Sequence, residues 1–153
     1  MKKIRITAVI LSLVLLFTFL CACGTEKIEL EREEEFLAVL YEIENYHPGT
    51  AGSSLKMCNV ALSFLDFAED SEGLDTELLG ISMRGYLAAL DEEEIEYFKE
   101  TVDNIKDIAT QIFENGIESM KELISDAGNR NRHESYTRDK YEAFMALFDK
   151  ILK

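Results

Sequence analysis

Strand-like alternation of apolar and polar residues is absent from this 153-residue sequence, which excludes a sheet as its organising element. Positive charge is scarce: 16 Lys and Arg stand against 30 Asp and Glu, a net −14. Nucleic-acid binders present basic faces to phosphates, so nucleic acid is excluded as a partner. Proline occurs once, at Pro48, so breakers are few and helical stretches run long. Gly-Lys-Ser/Thr and Gly-x-Ser-x-Gly are both missing, and phosphate-loop and serine-hydrolase chemistry lack their usual carriers. No internal repeat is visible. Carboxylates are too numerous for any one to stand out as a catalytic acid or base. The sequence asks for no cofactor and points away from an enzyme.

What is present begins at the N-terminus. Lys2, Lys3 and Arg5 precede an uncharged run of 18 residues, 6–23. A charged start, an apolar stretch and small residues near its end describe a secretory signal peptide. A spanning helix needs about 20 such residues, so an uncleaved anchor is the competing reading. The end of the run decides between them. Ordinary signal peptidase needs small residues at −1 and −3, and Leu20 or Phe19 would occupy −3. Leu20-Cys21-Ala22-Cys23 instead resembles the lipobox of bacterial lipoproteins, with Leu at −3, a small −1 and an obligatory Cys. The resemblance implies that residues 1–22 are removed and that Cys23 becomes the acylated N-terminus. One acyl chain gives only marginal membrane binding, and several chains on one cysteine overcome that limit.

On this reading Lys2, Lys3 and Arg5 leave with the signal, and 13 basic residues face 30 acidic ones, a net −17. Such a charge disfavours lying flat on an anionic bilayer. Residues 24–35 carry six glutamates and read as a tether, able to reach about 40 Å when extended. The later part of the tether overlaps the start of the first helix. With Cys21 removed and Cys23 lipid-linked, Cys58 has no disulfide partner in its own chain. Its place between Leu55 and Leu62 at helical spacing predicts a small buried hydrophobe.

Residues 36–153 read as one all-α domain, a bundle of four to five helices. Phe36, Leu37, Leu40 and Ile43 open the first helix, which His47-Pro48-Gly49 ends. A second, about 54–69, is apolar on most sides and should be central, with Ser53 or Ser54 as its cap. Asp75 or Thr76 opens a third, to about Leu90. Asp91 and Glu94 form a capping box for the fourth, which bends at Asn115-Gly116 and runs on to about Ala127. The last spans about 137–152.

Four features carry possible chemistry. Glu44-x-x-His47 has the spacing that sets two metal ligands on one helix face, as in di-iron bundles. A small metalloprotein using His47 and nearby carboxylates is therefore the alternative function. The other histidine, His133, has Arg130 where a second glutamate should stand, so the sequence supplies no complete metal site. Gly49-Thr50-Ala51-Gly52-Ser53-Ser54 precedes a helix N-terminus and is either an anion cradle or a plain capped turn. Arg84 is the only charge between Leu78 and Leu90; it either anchors a ligand carboxylate or phosphate, or makes an internal ion pair, which is the plainer expectation. Arg130, Arg132, Arg138 and Lys140 surround His133 and form the natural docking point for an acidic protein or envelope polymer, unless neighbouring glutamates neutralise them.

The expected function is that of an extracytoplasmic lipoprotein, a non-catalytic binding or structural module of the cell envelope. Its membrane contact is the lipid on Cys23. The expected place is the outer face of the cytoplasmic membrane, or the outer membrane of a diderm host.

Overall fold

The computed structural model describes residues 32–120, 133 and 135–153. Five α-helices fill them: α1 Glu33–Glu44, α2 Ser53–Glu69, α3 Thr76–Leu87, α4 Glu92–Asn115 and α5 Arg138–Ile151, with a 3-10 turn Ile117–Met120 after α4. No strand occurs among the described residues. The all-α bundle expected from the periodicity is the observed fold. The signal segment 1–22 and Cys23 lie outside the described residues.

The most apolar helix is the central one. Apart from Lys56 near its start and Asp66 near its end, α2 carries no charge before its last residue, and it buries Met57, Cys58, Val60, Ala61, Leu62, Phe64, Leu65, Phe67 and Ala68. It therefore packs on α1, α4 and α5. Aromatic rings join these helices. Phe64 lies 4.9 Å from Phe144 and 5.0 Å from Phe148 between ring centroids, and Phe67 lies 5.5 Å from Phe36. Such tilted and edge-on pairs add to the area the rings bury. A second cluster joins Cys58, Leu62 and Leu65 of α2 to Ala109 and Ile112 of α4, closed by Met120.

Cys58 is 0% exposed, as its stripe predicts. Its thiol should therefore resist a thiol reagent in the folded protein and react only in denaturant. Fast labelling without denaturant, followed by absorbance, would contradict that burial.

The helix starts follow local chemistry. Asp75 accepts from the N–H groups of Glu77 at 2.8 Å and Leu78 at 3.2 Å. Asp91 accepts from Glu94 N–H at 2.9 Å while its own N–H donates to the Glu94 carboxylate at 2.7 Å, the capping box the sequence predicts.

Three boundaries differ from expectation. Gly52, not Ser53 or Ser54, caps α2, at φ 77° and without a side-chain bond. Glycine takes that left-handed conformation at no steric cost, so the serines become the first two helical residues. The third helix stops at Leu87, because the N–H groups of Ala89 and Leu90 turn to the carbonyls of Tyr86 and Leu87 three residues back. The fourth ends at Asn115 rather than bending: Gly116 has φ 78° and ψ 159°, outside any helix, and the 3-10 turn carries Ile117 and Met120 back to the core, while the expected continuation over residues 121–127 lies outside the described residues.

Candidate functional site

The basic segment near the C-terminus bears on the acidic end of α2. Thr137 donates its N–H to one Glu69 oxygen at 2.7 Å and its hydroxyl to the other at 3.0 Å. Lys140 Nζ donates to the Glu69 carbonyl at 3.0 Å and pairs with the carboxylates of Glu69 at 3.2 Å and Glu72 at 3.4 Å. Tyr136 donates its hydroxyl to Asp66 at 2.7 Å. His133 Nε2 lies 3.4 Å from Asp70, an ion pair whenever the imidazole is protonated. Burial pushes the Glu69 carboxyl up, but the two Thr137 donors and Lys140 outweigh it and hold the group below its ordinary value. Donors and a cation thus cover the negative end of the α2 dipole. Arg138 takes another route, with its guanidinium 5.1 Å above the Phe113 ring. Arg130 and Arg132 lie outside the described residues. Those parts of the cluster that are described face partners within the chain.

The two histidines sit at opposite ends of α1. Arg32, just before that helix, donates to the Asp70 carbonyl at 2.8 Å, which places His133 near the α1 start through its contact with Asp70. His47 is exposed in the turn beyond the other end. The 12 residues of α1, a helix roughly 18 Å long, lie between them. Glu44 is already the acceptor of the Tyr86 hydroxyl, whose pKa is raised by burial first and then by this carboxylate. Glu44-x-x-His47 is therefore split: one member serves an α1–α3 contact and the other faces solvent. Among the described residues no three His, Cys, Asp or Glu side chains converge as a metal site.

The glycine turn before α2 closes on itself. Thr50 donates its hydroxyl to the His47 carbonyl at 3.2 Å, and Ser53 N–H donates to the Thr50 carbonyl at 3.0 Å. That is a self-contained turn with a glycine cap.

Arg84 is placed differently from the rest. It stands in a groove of about 550 Å³ between α3 and α5, lined by Thr76, Glu77, Gly80, Ala143, Ala146, Leu147 and Lys150. Positions 76, 77, 80 and 84 share one face of α3, and 143, 146, 147 and 150 share one face of α5. Gly80 forms the floor: a Cβ built there would meet Leu147 Cδ1 at 3.3 Å and Arg84 Nη1 at 3.5 Å. The guanidinium is thus folded back over the glycine, toward the groove. The expected internal ion pair of Arg84 is absent among the described residues, and Lys150 has none there either. Asp149, next to Lys150 in sequence, instead pairs with Lys106 at 3.1 Å, tying α5 to α4.

No known family, curated protein or solved structure matches this chain.

The groove thus rests on its own geometry. Two cations without an ion pair among the described residues, a hydroxyl and small apolar walls, against the one carboxylate of Glu77, make it suited to holding an anion. Sequence reasoning found Arg84 from its isolation on α3. It missed Lys150, which makes no ion pair among the described residues while Asp149 beside it pairs with Lys106.

Proposed function

We propose that this chain is an extracytoplasmic lipoprotein of the bacterial cell envelope, held by lipid on Cys23, with its helical bundle serving as a non-catalytic binding module. The observation that carries the reading is Leu20-Cys21-Ala22-Cys23 at the end of an 18-residue uncharged run that follows Lys2, Lys3 and Arg5. Lipid attachment gives the cysteine a purpose that neither a disulfide nor a core position supplies. The acidic tether and the net −17 of residues 23–153 favour a domain held away from an anionic surface. A binding role is favoured because Arg84 and Lys150, which make no ion pair among the described residues, line one groove. The location is the outer face of the cytoplasmic membrane, or the outer membrane in a diderm host.

The test is Cys23→Ala. Wild-type protein should incorporate radioactive palmitate and stay with membranes. The variant should incorporate none and be released or misprocessed. Unchanged labelling of the variant would overturn the proposal.

A further inference from the structure

We infer that the groove between α3 and α5 is a binding site for a small organic anion, a carboxylate or phosphate monoester, held by Arg84 and Lys150 with its body against Ala143, Ala146 and Leu147. The inference rests on reading the bundle as a binding module, but not on the lipid anchor.

Charge complementarity is the first support. Arg32, Lys99, Lys106 and Lys140 pair with carboxylates. Lys56, Arg84, Arg138, Lys150 and Lys153 make no ion pair among the described residues, and of these Arg84 and Lys150 line one groove. Two cations against the single carboxylate of Glu77 leave the groove net positive, and an anion bound there accepts their donors.

Shape is the second support. A volume of about 550 Å³ falls within the range of small-molecule sites, roughly 300–1,000 Å³. It exceeds two other hollows, of about 240 Å³ and 180 Å³, in which Arg32 and Lys106 already pair with carboxylates. Gly80, Ala143 and Ala146 keep the space open, and a longer side chain at any of them would enter it. Arg84 lies over the floor, with its planar fork beside Gly80, where a bidentate pair with a carboxylate or phosphate can form. Glu77 and Thr76, also on the wall, set a limit: a second negative charge on the ligand body meets repulsion from Glu77, so a single anionic group is favoured.

The experiment is titration calorimetry on the full chain in neutral-lipid nanodiscs. Phenyl phosphate and phenylacetate are the two anionic probes, and 2-phenylethanol is the uncharged control. Saturable binding of at least one anion is expected, with none for the alcohol, and the stronger anion identifies the headgroup. Arg84→Gln and Lys150→Gln should each weaken it about tenfold or more, the scale of one lost charge-assisted hydrogen bond. Raising salt should weaken it too, because these groups are exposed. Ala146→Leu changes no charge and lies on an exposed position, so the fold survives, yet it should abolish binding by filling the groove. No saturable binding of either anion, equal binding of the alcohol, or binding that survives Arg84→Gln would overturn the inference. Each of these results leaves palmitate labelling of Cys23 unaffected, so failure of the groove and failure of the anchor are told apart.

Discussion

Phe64→Ala should destabilise the bundle by about 3–5 kcal/mol, the range for removing a buried aromatic ring. The ring is 0% exposed and sits where α2 meets α5, with centroids 4.9 Å from Phe144, 5.0 Å from Phe148 and 6.1 Å from Tyr141. Its removal leaves a cavity lined by three other rings, which cannot all shift inward without losing their own contacts. Small domains are stable by about 5–15 kcal/mol, so the variant approaches unfolding at 37 °C. Urea titration followed by helical circular dichroism measures the loss. Tyr41→Ala is the control: Tyr41 is 60% exposed, and its loss should stay within about 0.5 kcal/mol. A Phe64 variant losing under 1 kcal/mol would mean that α5 does not dock on α2 as described.

Glu69→Gln should cost about 1–2 kcal/mol at neutral pH, since it weakens three bonds that fasten the start of α5 to the end of α2. The Glu69 side chain is 14% exposed, so solvent screens these bonds less than it screens an open surface pair. The pH dependence has a definite sign. The folded carboxyl titrates below its ordinary value of 4.5, so its stabilisation is complete above that pH and is lost as pH falls through the folded value. The difference between wild type and variant should therefore shrink below pH 4.5 and vanish once both carry an uncharged group. A gap that stays constant from pH 7 into the acid range would show that the carboxylate charge is not what holds the clasp.

The sequence made the helices legible and left their junctions obscure, for physical reasons. Burial writes itself at a period of 3.6 residues, so the apolar faces of α2, α4 and α5 could be read directly. The Asp91 and Glu94 box was equally plain, because both halves of a capping box lie in one short stretch. The Gly52 cap was missed, since two serines beside a glycine offer several equivalent starts and backbone conformation chooses among them. Contacts between distant segments left no local trace. Nothing near Glu69 in sequence announces Thr137 or Lys140, some seventy residues away, so the contacts that the described members of the 130–140 cluster make within the chain left no local signal. Arg84 was conspicuous as a lone charge, yet only packing reveals that Gly80 lets α5 come close and that Leu147 and Lys150 complete a groove. Identity of residues can be read from a chain; availability cannot.

The proposed function turns on what the first residue of the mature protein is. Intact-mass spectrometry of the protein extracted from membranes, followed by sequencing of its N-terminal peptide, measures that directly. The expected result is a chain that begins at Cys23 and carries a diacylglyceryl thioether on its sulfur, with residues 1–22 gone. A Cys23 with a free thiol would contradict the lipoprotein reading, and a chain that begins at Met1 would contradict it and make residues 6–23 an uncleaved anchor instead.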